Sequence, residues 1–307
     1  MKFIKTNRIK IGVLVLLAVM ILGVGSCVYM PDPEKDKPVS IPRNITVVKK
    51  EQQEEREYVE NEQTRKRREA KERAALVVVE EPVPAPENDF EFENVFGKAG
   101  ITKYSGEATS IILPDSLGGL PLGVICEYAF SGKPMTCVYA PDTVEEVQNE
   151  AFNGCIELRS IRMFGVERIG DRAFCGCENL NSAFFSSRLT WIGQQAFASC
   201  SKLSEVILGN DLTHLGKGAF LFSGITAIDF PATLETIPEE ACYHCDQLEV
   251  VTIAEGVKEI GRNAFGGCGK LTEVTVPSSV ENMAESAFAG VEKVICIEGD
   301  NGLFGWW

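Results

Sequence analysis

The chain has 307 residues, 45% apolar and 24% charged, with 44 acidic against 30 basic side chains and a net charge of −14. Residues 1–30 carry four basic side chains and no acid, whereas residues 101–307 hold 27 acids and 13 bases. Such an acidic body disfavours nucleic-acid phosphates as partners, and only two histidines, His214 and His244, exist for hydrolytic or metal chemistry.

The N-terminus reads as an address. MKFIKTNRIK is basic, and IGVLVLLAVMILGVGSCVYM, residues 11–30, is an uncharged run long enough to span a bilayer. Bases before it and Asp32, Glu34 and Asp36 after it place the remainder on the extracytoplasmic face of the cell membrane. Two fates fit. The run stays as a signal anchor, or VGSC acts as a lipobox with Cys27 as the lipidated first residue; the apolar continuation Val28-Tyr29-Met30 favours the anchor.

Residues 31–100 form a spacer in this reading. Pro31, Pro33, Pro38 and Pro42 give an extended exit. Residues 49–76 lack Gly and Pro and pair Glu62 with Lys66 and Glu69 with Arg73 at helical spacing, which predicts a charged helical stalk roughly 40 Å long. EEPVPAPENDFEFE, residues 80–93, is expected to break that helix and act as a linker.

From residue 101 the chain repeats itself. IGDRAFCGCENL, IGQQAFASCSKL and IGRNAFGGCGKL begin at residues 169, 192 and 260. The Phe of each Ala-Phe pair falls at 130, 152, 174, 197, 220, 265 and 288, and Cys242 fills the same slot in EEACYHC. The steps of 22 or 23 residues predict a repeat solenoid, a stack of about eight β-rich coils over residues 101–297. In one unit Leu248, Val251 and Ile253 have the spacing of a short strand, Gly261 permits a tight turn, and Ala264, Phe265 and Cys268 point into the stack. LGGLPLG, residues 117–123, reads as the turn of a first, irregular coil, and residues 298–307, with Trp306 and Trp307, as a C-terminal cap.

The frame L-x-x-[VI]-x-[IVF]-P-x-x-[VL]-x-x-I-G-x-x-A-F-x-x-C resembles the BspA-type leucine-rich repeat of bacterial and protist surface proteins. The resemblance implies a curved, strand-lined solenoid on the cell surface that binds host proteins, other cells or matrix. Cys242 in place of Phe, the short FSGI and the Cys-less last copy depart from the frame.

Cys155, Cys177, Cys200, Cys245 and Cys268 each lie three residues after the ladder position, so they recur as small packing residues. Disulfides between adjacent coils stay open at the stacking distance. CYHC is not read as a zinc site, because Cys242 and Cys245 take inward slots and His244 points elsewhere. No catalytic residue, cofactor or metal site is expected, and the chain is not read as an enzyme. Two outward columns remain: Tyr139, Arg162, Phe184, Ile207, Asp229, Thr252, Thr275, and Glu146, Arg168, Trp191, His214, Thr236, Glu259, Asn282. Exposed aromatics and Arg anchor interfaces, so Arg162, Phe184, Trp191, Ile207 and His214 are the candidate patch for an extracellular or cell-surface protein. The competing reading is an envelope scaffold without an external ligand.

Overall fold

The computed structural model describes residues 45–49 and 82–298. The apolar run at 11–30, Cys27, the charged segment beyond Lys49 and the terminal residues with Trp306 and Trp307 lie outside the described residues. Among the described residues no helix is long and apolar enough to cross a membrane.

The periodicity becomes a β-solenoid of about nine coils. The regular coils each place a strand of two to four residues, a two-residue strand and an Ala-Phe turn in succession, whereas the first and last coils carry strands of six or seven residues. The longer strands form a parallel row from Val83–Pro84 to Val250–Ile253. Glu273–Val276 and Lys293–Glu298 pair in parallel beyond it. The two-residue strands form a second row that includes Glu146–Val147, Arg168–Ile169, Trp191–Ile192 and His214–Leu215. Repeats fall into register because identical slots pair, as in Ser160↔Ser182 and Ile161↔Ala183. A parallel stack of this kind buries one face per strand, which is why Ile161, Met163 and Ile169 are sealed while Arg162 and Arg168 are not.

The Ala-Phe slot is explained on the turn face. The Phe174 N–H donates to the Ala196 carbonyl at 2.8 Å, and Phe130, Phe152, Phe197, Phe220, Cys242 and Phe265 repeat that bond to the Ala of the next coil at the same distance. Each ring then lies on the next: Phe130, Phe152, Phe174, Phe197 and Phe220 stack with centroids 4.8 to 5.6 Å apart and planes within 9°. Sealing a Phe ring from water is worth about 1.5–3 kcal/mol, and a neighbouring ring adds about 0.5–1.5. The Gly of the I-G pair lets coils approach: a Cβ on Gly216 would lie 2.3 Å from the Gln194 nitrogen.

Two sequence expectations change and one holds. Residues 83–93 are not a linker but the start of the array: Val83–Pro84 pairs with Ser110–Ile112, and Phe90–Val95 pairs antiparallel with Lys98–Tyr104 through a turn at Phe96-Gly97. The reason is the core, since Phe90 is buried on Tyr104 at 5.3 Å and Tyr104 stacks on Phe130 at 5.5 Å, extending the ladder by one coil. LGGLPLG is indeed a turn, a tight hairpin between Ser116–Leu117 and Leu120-Pro121 with both glycines at positive φ. The proline-rich exit, read over residues 31–48, ends inside the array, because Ile45–Lys49 pairs in parallel with Lys293–Glu298, from Ile45↔Val294 to Lys49↔Glu298. An unpaired edge strand costs backbone hydrogen bonds, and this segment covers the last edge of the array.

Candidate binding face

On the long-strand face the outward column is continuous. Register sets Arg162 between Tyr139 and Phe184, and its guanidinium lies 4.7 Å from the Tyr139 ring centroid and 5.7 Å from that of Phe184. A guanidinium held between two rings gains cation–π attraction and keeps its donors free to reach outward. The next position is Ile207, 40% exposed.

Here the regular ladder stops. Ser160–Met163 pairs with Ser182–Phe185 over four residues, and Ala227–Phe230 pairs with Val250–Ile253 over four. Between them Glu205–Val206 is only two residues long, paired to Ser182 and Ala183 on one side and through Glu205 to Ala227 on the other. Leu208 turns inward while Ile207 stays out. The interruption opens a cavity of about 620 Å³ bounded by Phe185–Ser187, Glu205–Asn210, Thr226–Ala232 and Val250. That volume lies within the roughly 300–1,000 Å³ of clefts that hold small ligands or anchoring side chains.

The second column lies on the short-strand face. Arg168 stands over Trp191 at 4.6 Å, and Trp191 stacks on His214 at 3.5 Å with planes 14° apart. Burial pushes the His214 pKa below its ordinary value and Arg168 adds to the depression, opposed by Asp171. Trp191 is therefore half-buried, with both ring faces covered. The five candidate residues form two groups: Arg162 and Phe184 on one sheet with Ile207 just past the end of its Glu205–Val206 strand, and Trp191 and His214 on the other sheet.

One exposed cluster escaped the sequence reading. Two residues after the ladder Phe the backbone is left-handed, and Gly132, Gly154, Gly176, Gly267 and Gly290 serve this need. Phe222 and His244 take the same slot at φ 55° and 54°, and their rings stack at 5.4 Å with Tyr243 edge-on at 4.4 Å from His244. Phe222 is 50% exposed. The signal was a large residue where the other coils use Gly or, at Ser199, a small side chain.

Among the described cysteines all but Cys175 are buried. Cys155, Cys177 and Cys200 donate through Sγ to the carbonyls of Phe130, Phe152 and Phe174 at 2.9, 3.2 and 3.1 Å. Cys245 and Cys268 reach Phe220 and Cys242 at 3.0 and 3.1 Å. A small weak donor next to a ladder carbonyl is what this slot selects. The ten described cysteines are free thiols. In CYHC, Cys242 and Cys245 face the core, while His244 is partly exposed with Nδ1 3.6 Å from Asp246.

The BspA type leucine-rich repeat region matches in six copies over residues 123–249 and 235–303, more than half of the chain. Among solved structures the chain is similar to the leucine-rich repeat protein TpLRR of T. pallidum, 27% identical with a TM-score of 0.58 over 61% of this chain and 90% of that one. It is also similar in fold to a leucine-rich repeat protein of Bacteroides ovatus, 20% identical with a TM-score of 0.54 over 75% of this chain and 57% of that one. No curated protein matches.

Proposed function

Because the chain belongs to the BspA type leucine-rich repeat family, we propose that it is a membrane-tethered surface protein that binds another protein through the long-strand face of its array. The basic start and the apolar run at residues 11–30 support the tether and an extracytoplasmic array. Because Ile45–Lys49 already belongs to the array, residues 31–44 would separate the two. One observation carries the binding role: the Tyr139–Arg162–Phe184 stack leads directly to exposed Ile207 at a cavity where the repeat geometry is broken. A packing role alone would keep the ladder regular. Aromatics and Arg are the residue types that dominate interface energies, and exposed Ile207 adds apolar area beside them. Trp191 and His214 stand on the neighbouring face, so a partner at Ile207 meets them only by passing around the turn at residues 186–190.

The test is binding of the full chain in detergent micelles to extracellular-matrix and cell-surface proteins, alongside Arg162→Ala and Ile207→Asp. Saturable binding weakened by about tenfold or more in either variant, the loss of one interface anchor, with an unchanged melting temperature supports this face. Binding that ignores both variants removes it. A folded chain that binds nothing favours an envelope scaffold.

A further inference from the structure

Several cations of the array are answered from the coil before them. Arg172, Arg188, Lys258, Lys270 and Lys293 each meet a glutamate of the preceding coil. Arg162 has no such partner. The residues opposite it in the adjacent coils are Tyr139 and Phe184, and among the described residues no carboxylate pairs with its exposed guanidinium, which meets only their two rings. Its further surroundings are apolar as well. Phe164, two residues along the chain, is 47% exposed; Ile112 lies opposite Tyr139 at 37%; and Ile207 follows Phe184 at 40%. The column therefore reads Ile112, Tyr139, Arg162, Phe184, Ile207, a single charge at the centre of an outward apolar strip. Stacking on the rings orders the guanidinium and leaves its N–H donors unspent. It is half of an ion pair whose other half the molecule does not supply.

We propose that Arg162 is the receptor for an aspartate or glutamate side chain of the partner, presented on an extended segment with an apolar residue two places to either side. The proposal rests on the reading that the long-strand face meets a protein, and it names the residue that this face selects. A carboxylate matches two parallel N–H donors of a guanidinium. The rings already hold the long arginine side chain, so less freedom is lost when the pair forms. Tyr139, Phe164 and Phe184 also shield the pair from water once a partner lies over them, as apolar surroundings do for a central interface contact. Spacing sets the rest. Successive coils lie about 4.8 Å apart, and alternate side chains of an extended segment about 6.7 Å apart. With its acid over Arg162, a segment running along the column sets one apolar side chain between Ile112 and Tyr139 and the other between Phe184 and Ile207. The 27 acids against 13 bases of residues 101–307 repel an acidic segment at long range. Away from Arg162 an acid is therefore a penalty on this array, and any gain from one is local to this guanidinium.

The probe is acetyl-Leu-Ser-Glu-Ser-Leu-amide, with acetyl-Leu-Ser-Gln-Ser-Leu-amide as its neutral counterpart of nearly the same shape. Each is titrated into the full chain in uncharged detergent micelles while the Arg162 Nε–H resonance is followed by NMR. Salt is held at about 0.15 M, where repulsion from charges beyond roughly 8 Å is screened. The glutamate peptide is expected to move that resonance saturably and to bind about tenfold more tightly than the glutamine peptide, the worth of one charge-assisted hydrogen bond. In Arg162→Gln the preference is expected to vanish or to turn toward the glutamine peptide, with the melting temperature unchanged. Equal binding of both peptides to the parent chain, a glutamate preference that survives Arg162→Gln, or no saturable movement of the Arg162 resonance would overturn the site. The protein-binding panel separates the two ideas: partners whose binding falls in Ile207→Asp but not in Arg162→Ala, with peptides that bind alike, leave the face intact and remove only the acid site.

Discussion

Restoring the missing rung at Cys242 is expected to weaken the array. Phe occupies seven of the eight Ala-Phe slots, so repeat logic ranks Cys242→Phe as a repair. The packing opposes it. Phe230 is sealed from water, and its ring meets Phe265 edge-to-face at 5.8 Å although that rung lies beyond the turn of Cys242. Its counterpart Phe185 instead meets the two adjacent rungs, Phe174 at 6.5 Å and Phe197 at 6.0 Å. Phe230 thus leans across the gap that the small thiol leaves. A ring at 242 would stack between Phe220 and Phe265 and claim the space Phe230 holds. Overpacking of this kind costs about 1–3 kcal/mol, which lowers the melting temperature of a repeat domain of this size by roughly 2–12 °C. Far-UV circular dichroism melts of the parent, Cys242→Phe, Phe230→Leu and the double variant measure this. The double variant is expected to recover most of the loss, with a favourable coupling on the order of 1–3 kcal/mol. A Cys242→Phe chain that melts at or above the parent temperature would refute the reasoning.

Burial pushes Cys126 up to about 11, helped by Glu93, Glu146 and Glu127, and pushes Cys268 and Cys296 up to about 12; at pH 8 these thiols hold almost no thiolate. Iodoacetamide is therefore expected to label the partly exposed Cys175 first among the described cysteines and these three only on unfolding, and peptide mapping that shows equal rates would contradict the packing. The lowered pKa of His214 means that the unfolded chain takes up its proton first as pH falls, so stability declines below about 6.5, the ordinary histidine value. This component is absent above that pH and should vanish in His214→Gln; identical melting-temperature changes between pH 7.5 and 5.5 in both chains would rule it out. Deleting Ile45–Lys49 leaves Lys293–Glu298 as a bare edge whose Val294 to Ile297 are all buried in the intact array. Self-association on light scattering is the expected outcome, and a monomer of unchanged stability would show that the pairing carries no weight.

The sequence by itself determined the coil. A 22- or 23-residue period keeps the seven ladder Phe, the Ala before each of them and five Cys in recurring slots, and an array whose neighbours are its own copies needs no distant contact to be specified. That is why the stack, its inward slots and both outward columns were readable from residues 130–288. The tertiary structure decided what lies where the period fails. Phe90 and Tyr104 do not stand in an Ala-Phe pair, so their coil emerged only from rings packed on Phe130. Ile45–Lys49 is far in sequence from Lys293–Glu298, and no local pattern joins two segments so distant. The bend between the two strands of a coil separates Phe184 from Trp191 and divides the candidate patch, because a turn angle is set by how successive coils pack. The cavity at Ile207 follows from the same cause: pairing, which no single repeat encodes, ends at Val206 toward the preceding coil and at Glu205 toward the next.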